Sequence, residues 1–391
     1  MIITIIAVAA LLAFAVAGCG EEEATEGEAE VFKIGFCADL SGGYSSYDTP
    51  IRDGAQFAVD EINAAGGVNG TQLELIVKDN KNDKALAIQT TQELLDDGIQ
   101  YLIATTADHV TAIARMAAEQ QIPSDTADGT APNLPRDCGD FTFQYVMADN
   151  LQGAAMANYC YTELGYRSAY LLKSPDVAYS NNLPLYFQEV FESLGGTTAG
   201  ISDYKLEAGD FSPQITKIKN TSPAPDMIYT PMFLPDTPVF LKQLKAAGVD
   251  IPVVSGEAND TADVLSAGPE ALDGMILPTF GYPEPGTPLA DFYARYEEGT
   301  GSAPETVIVA NGADIIYILK AALEQTGGEG GVALRDAIAN LSGVPVATTD
   351  NFAMDPVTRQ AKREVTLLKM VGDQFTYVKQ LPYPDYVPEP Y

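Results

Sequence analysis

Alternation is what most constrains this chain. From residue 31 to residue 278, short apolar runs trade places with amphipathic helical patterns, joined by short connections. Val31–Asp39 (VFKIGFCAD) is a near-continuous apolar run, and Leu73, Leu75 and Val77 alternate at period two. Ile99–Ala104 and Ile122–Ser124 read as further strands, followed by Ser168–Lys173, Thr197–Tyr204, Met227–Thr230, Ile251–Val254 and Met275–Pro278. Helical patterns lie between them. The first carries Pro50 in its opening turn, sets Ile51, Ala55, Ala58 and Ile62 on one face, and stops at Gly66-Gly67. Such a succession predicts parallel sheets covered by helices on both faces. A chain of 391 residues exceeds one ordinary core, and the rhythm restarts after Phe141. The expected fold class is therefore α/β, with two doubly wound parallel-sheet lobes.

After Pro278 the rhythm breaks. Leu289–Tyr296, Val307–Glu324 and Val332–Leu341 read as successive helices without a strand between them. Two strands follow, Glu364–Val371 and Gln374–Gln380, joined by the turn Gly372-Asp373, and a Pro-rich tail expected to be loose.

The first residues point to a compartment. Ile2–Val16 is almost purely apolar and runs into Val16-Ala17-Gly18-Cys19, the pattern of an export signal ending in small residues. The alternative is a buried N-terminal helix, and no Lys or Arg precedes the run as export signals ordinarily require. Glu21–Glu30, with five Glu in its first eight residues, reads as a solvated tether. Export implies an oxidising space. Cys37, in a buried strand, is expected as a free thiol. Three pairings are open to Cys37, Cys138 and Cys160, and a Cys138–Cys160 disulfide is the one expected.

Fifty-four acidic residues against 22 basic ones give a net charge of −32, which repels phosphate backbones and argues against nucleic acid as a partner. The excess is read either as a solubility device or as attraction for a cationic ligand. Phosphate-binding glycine loops, nucleophile elbows and clustered metal ligands are missing from the sequence, and His109 is its one histidine. No cofactor or metal is expected, and enzymatic activity is disfavoured. What the pattern does offer is a set of polar loops at the carboxyl ends of strands, where open α/β sheets bind ligands. They are Ser41–Tyr47, Thr105–His109 (which includes Ala107 and Asp108), Asp125–Thr130, Asp176–Tyr179 and Gly256-Glu257.

These residues resemble the periplasmic branched-chain amino acid binding proteins and their relatives for amides and other small solutes. The likeness runs from about Lys33 to Val378. It is most specific over Leu40–Gly70 (LSGGYSSYDTPIRDGAQFAVDEINAAGGVNG), a Ser-Gly turn, a Tyr, and a helix ending in Glu-Ile-Asn before a Gly pair. The ending Val-Ala-Gly-Cys likewise resembles a lipoprotein signal, which implies a lipidated Cys19 and anchoring at the outer face of the cell membrane or in the periplasm.

The resemblance implies a type I periplasmic binding protein fold whose chain crosses three times between lobes, near Ala148, Pro278 and Thr349. Residues 31–148 and 279–349 would form the first lobe, and residues 149–278 and 350–391 the second. It implies a solute-binding component of an ABC importer, partnered by a membrane permease and closing on an amino acid or related polar solute. A ligand-sensing module and an enzyme acting on a small amide are the alternatives. Nothing in the sequence marks an oligomer interface, so a monomer is expected. In the family pattern Glu257 matches the acid that holds the ligand ammonium. Gly129 and Thr130 match the loop that holds the carboxylate, and Tyr47, Tyr179 and Phe233 fall where the cleft is lined. Asp108 departs from the pattern, standing where a small hydroxyl residue is usual, and Asp128 adds a second acid. Asp108 is read either as an acceptor for an amide, urea or cationic group or as a helix cap pointing away.

Overall fold

The computed structural model describes residues 31–391. The segments expected to be an export signal and an acidic tether, with Cys19 between them, lie outside the described residues. The first run of elements is β1 (Val31–Ala38), α1 (Ser45–Ala64), β2 (Gln72–Asp79), α2 (Lys84–Asp96), β3 (Tyr101–Ile103), α3 (Val110–Glu119), β4 (Ser124–Asp125), α4 (Leu134–Cys138) and β5 (Thr142–Phe143). Its five strands form one sheet in the order β2-β1-β3-β4-β5, parallel throughout. Side chains of β1 alternate between two cores, as a doubly covered sheet requires. Phe32, Ile34 and Phe36 pack with the α1 face, while Cys37 packs with Leu94, Ile113 and Ala117 on the other side.

The second run comprises α5 (Asp149–Asn158), β6 (Ser168–Lys173), α6 (Ala178–Ser193), β7 (Thr197–Asp203), α7 (Ser212–Asn220), β8 (Met227–Thr230), α8 (Asp236–Ala246), β9 (Val253–Ser255), α9 (Pro269–Leu272) and β10 (Ile276–Thr279). The chain then returns to the first core through α10 (Pro288–Thr300), α11 (Ile308–Thr326) and α12 (Gly331–Ala339), which contribute Phe292, Ile316 and Leu334 to it. A small antiparallel sheet follows, made of β11 (Ser342–Val344), β12 (Phe352–Met354) and β13 (Ala361–Lys362). The hairpin β14 (Val365–Val371) and β15 (Gln374–Leu381) completes a seven-stranded sheet, β15-β14-β10-β9-β8-β6-β7. Here too alternate residues face alternate cores: Ala169 and Leu171 one, Tyr170 and Leu172 the other. Among the described residues no helix is long and apolar enough to cross a membrane.

Four expectations need correction. The third crossing falls near Arg363, later than Thr349, because Phe352, Met354 and Ala361 are still buried in the first core. Cys138 and Cys160 are both free and buried. Between them the chain crosses from the first lobe to the second, so α4 carries Cys138 into one lobe while Cys160 sits in the core of the other. Helix α1 begins at Ser45, five residues before Pro50, so Tyr47 belongs to its first turn and not to the preceding loop. The Pro-rich tail is held in place: Tyr391 stacks on Tyr186 with ring centroids 4.6 Å apart, and Asn150 donates to the Pro388 carbonyl at 2.8 Å.

Candidate functional site

The strand-end loops of the two lobes face each other across a cavity of about 250 Å³. All nine residues singled out from the sequence line it: Tyr47, Ala107, Asp108, Asp128, Gly129 and Thr130 from the first lobe, and Tyr179, Phe233 and Glu257 from the second. A smaller void adjoins it and shares Tyr47, Asp128 and Glu257.

Buried carboxylates shape the first-lobe wall. Asp39 folds the loop after β1 by accepting from the backbone N–H groups of Gly42 (2.5 Å) and Tyr44 (2.8 Å). A side chain on Gly42 would strike that carboxylate, which accounts for the glycine. Asp48, in the first turn of α1, accepts from the Asp39 N–H and the Thr105 hydroxyl, both at 2.7 Å, and from the Thr106 N–H at 3.1 Å. It ties the loop after β1 to the loop after β3, and burial pushes its carboxyl up to about 6. The loop after β4 is pinned by Gln144, whose amide donates to the carbonyls of Gly129 (2.7 Å) and Ala131 (3.2 Å). Within it Asp128 Oδ1 accepts from Asn311 of α11 at 3.0 Å.

The second-lobe wall centres on Glu257, directly after β9. Its Oε2 accepts from the Tyr179 hydroxyl at 2.9 Å and from the Gln152 amide, and Gln152 Oε1 takes the Glu257 N–H at 3.2 Å. Gly256 is required beside it: a Cβ there would lie 2.2 Å from the Tyr179 hydroxyl. Phe233 meets Tyr179 edge to face, ring centroids 6.1 Å apart.

Charge in the cavity is one-sided. Asp108, Asp128 and Glu257 line it, with no Lys, Arg or His among the lining residues. Burial pushes the carboxyls of Asp128 and Glu257 up to about 7, and for Asp128 the neighbouring Glu257 charge adds to it. Tyr44 is raised to about 12, first by burial and then by the charge of Asp108. Asp108 is exposed and lines the cavity, one residue ahead of His109, the N-cap of α3, which makes no side-chain cap bond. His109 is buried, outside the lining. Among the described residues no three His, Cys, Asp or Glu gather as a metal site.

Sequence reasoning missed Gln152 and Asn311, which orient the two buried acids from helices distant in sequence. It also passed over Asn133 and Leu134, which line the cavity from the start of α4. Tyr44, Thr106, Val177 and Ala178 lie within the loops singled out but were not named individually.

The profile of a family described as periplasmic binding protein matches residues 31–374. A leucine-, isoleucine-, valine-, threonine- and alanine-binding protein of Pseudomonas aeruginosa is 24% identical over 249 residues, 63% of this chain and 66% of that protein, a little under two thirds of the relative's length. A Leu/Ile/Val-binding protein of Rhizobium johnstonii is 24% identical over 319 residues, covering 80% of this chain and 85% of the relative. Among solved structures, a leucine-binding protein of Thermotoga maritima superposes with a TM-score of 0.80 at 23% identity, over 90% of this chain and 99% of that one. The two facing lobes, the cavity between their strand ends and a profile match over most of the length agree: this chain belongs to the periplasmic binding protein family.

Proposed function

We propose that this protein is the extracytoplasmic solute-binding component of an ABC importer, held at the membrane through a lipidated Cys19, and that it closes its lobes around a small amino-bearing solute. The carrying observation is that acids from opposite lobes, Asp128 and Glu257, line one cavity. A ligand that satisfies both favours the closed form over the open one, and only such differential contact drives closure. Glu257, already steadied by Tyr179 and Gln152, holds the amino group. The hydroxyl of Thr130 and the backbone around Gly129 offer polar partners on the facing wall, while Tyr47 and Phe233 cover the ligand body. A permease then recognises the closed form. Binding without chemistry is supported by the family match, whose relatives carry the names of binding proteins.

The test is calorimetry and thermal unfolding on residues 31–391 with amino acids, amino amides and amines. A ligand at 100 times its Kd raises stability by about 2.7 kcal/mol. Glu257→Ala is expected to abolish that shift, since removing one partner of a buried charge pair costs about 2–5 kcal/mol. An unchanged Kd in Glu257→Ala overturns this assignment of the site.

A further inference from the structure

The ligand's charge can be read from what the cavity lacks. The main cavity and the void that adjoins it are lined by Asp108, Asp128, Glu257 and Asp260, and by no Lys, Arg or His. The cation that acts on Asp128, Arg363, is committed elsewhere. It donates to Asp314 Oδ2 at 2.8 Å, to the Tyr145 carbonyl at 2.5 Å and to the Thr348 hydroxyl at 2.8 Å.

The acids are not simply a solvated cluster. Asp128 and Glu257 are each only 7% exposed. Asp128 uses Oδ1 for Asn311, and Glu257 uses Oε2 for Tyr179 and Gln152. Among the described residues no side chain donates to the remaining oxygens, Asp128 Oδ2 and Glu257 Oε1. With neither a donor nor a cation from the described side chains, these two oxygens are open to a ligand in the cavity. A zwitterion brings one positive group to these two acids, together with a negative group that both repel. A molecule with positive groups at both ends matches both walls. The aromatic rings between them, Tyr44, Tyr47, Tyr179 and Phe233, suit an apolar spacer and attract cations to their faces.

We propose that the cleft takes a small organic dication, two amino or guanidino groups joined by an apolar spacer and carrying no carboxylate, with one end on Glu257 and the other on Asp128. This rests on the binding-protein reading above and narrows it to a ligand class that a plain amino acid does not meet.

Matched pairs that differ only by a carboxylate test it: lysine against 1,5-diaminopentane, and arginine against agmatine, titrated calorimetrically into residues 31–391, with leucine as a further probe. The decarboxylated member of each pair is expected to bind at least tenfold tighter than its amino acid. Asp128→Asn is expected to weaken the diamine at least tenfold and to leave lysine no weaker, with the unfolding midpoint reporting that the variant is folded. Lysine or arginine binding as tightly as its decarboxylated partner overturns the dication and leaves the importer reading standing, as does binding of leucine alone. Silence from all five compounds, with Glu257→Ala indistinguishable from the unaltered protein in the wider screen, overturns both. The paired titrations need no variant, so a misfolded Asp128→Asn does not rescue the proposal.

Discussion

The Tyr179 hydroxyl donates to Glu257 Oε2 at 2.9 Å, and Gly256 leaves room for that contact, because a Cβ there would lie 2.2 Å from the hydroxyl. Tyr179→Phe keeps the ring and removes the donor. A hydrogen bond to a charged group is worth about 1.5–3 kcal/mol, so a loss of about tenfold or more in ligand affinity is expected, with little change in the unfolding midpoint. Gly256→Ala is expected to weaken binding similarly by displacing the same hydroxyl. Calorimetric titration of both variants checks this; unaltered affinity in both would mean that Glu257 is oriented without Tyr179.

The ligand-free protein is expected to lose stability as pH rises from about 5 to about 8. Burial raises the carboxyls of Asp125, Asp128 and Glu257 to about 7 and those of Asp48 and Asp260 to about 6, and holds Asp149 well above the ordinary range. Unfolded, these groups titrate near ~4. Between those values the folded chain binds more protons than the unfolded one, so the unfolding free energy declines with pH until the folded-state values are passed. Thermal scans across this range check the sign. Asp128→Asn and Glu257→Gln are each expected to flatten the profile, and a midpoint that climbs from pH 5 to 8 contradicts the burial account.

Helices α1 and α11 meet backbone to backbone through two glycines. A Cβ on Gly54 would lie 1.7 Å from the Val309 carbonyl oxygen, and one on Gly312 would lie 2.1 Å from that of Ile51. Neither neighbour is a flexible side chain that could swing aside. Gly54→Ala and Gly312→Ala are each expected to cost about 3 kcal/mol in chemical denaturation. Asn311, which holds Asp128, is adjacent to Gly312, so the second variant is also expected to weaken the ligand. If Gly312→Ala alters stability without altering affinity, Asn311 does not depend on this helix contact.

The doubly wound architecture was legible because β1, β6 and β8 are short apolar runs flanked by amphipathic helices, and local patterning carries that information. The nine residues picked out among those lining the cavity were legible from two signals together, the polar loops at strand ends and the resemblance to the family pattern; Tyr47 and Tyr179 lie further on, in the first turns of α1 and α6. What stayed hidden is non-local. Gln152 reaches Glu257 from α5 and Asn311 reaches Asp128 from α11, across sequence distances that no periodicity reports. The cysteine pairing failed for the same reason: Cys138 and Cys160 are near in sequence, but a crossing between lobes separates them. The late third crossing was hidden by β12 and β13, strands of three and two residues, too short to print a pattern.

Arg363, at the third crossing, ties it to the first. Its guanidinium reaches the Tyr145 carbonyl in the first crossing, the Thr348 hydroxyl, and Asp314 on α11, where the ion-pair distance is 2.8 Å and the side chains are 6% and 1% exposed. The first and third crossings also pair directly, with the Gln144 N–H on the Arg359 carbonyl (2.9 Å) and the Ala361 N–H on the Gln144 carbonyl (2.8 Å). Removing one member of a buried pair strands the other charge, at a cost of about 3–5 kcal/mol, so Arg363→Met is expected to lower stability by that much. Replacing both charges with apolar groups, Asp314→Leu with Arg363→Met, removes the stranded carboxylate and is expected to recover most of the loss. Urea denaturation of the two single variants and the double variant completes the cycle. A double variant no more stable than Arg363→Met alone would show that the polar contacts to Tyr145 and Thr348, and not the charge pair, fix the last crossing.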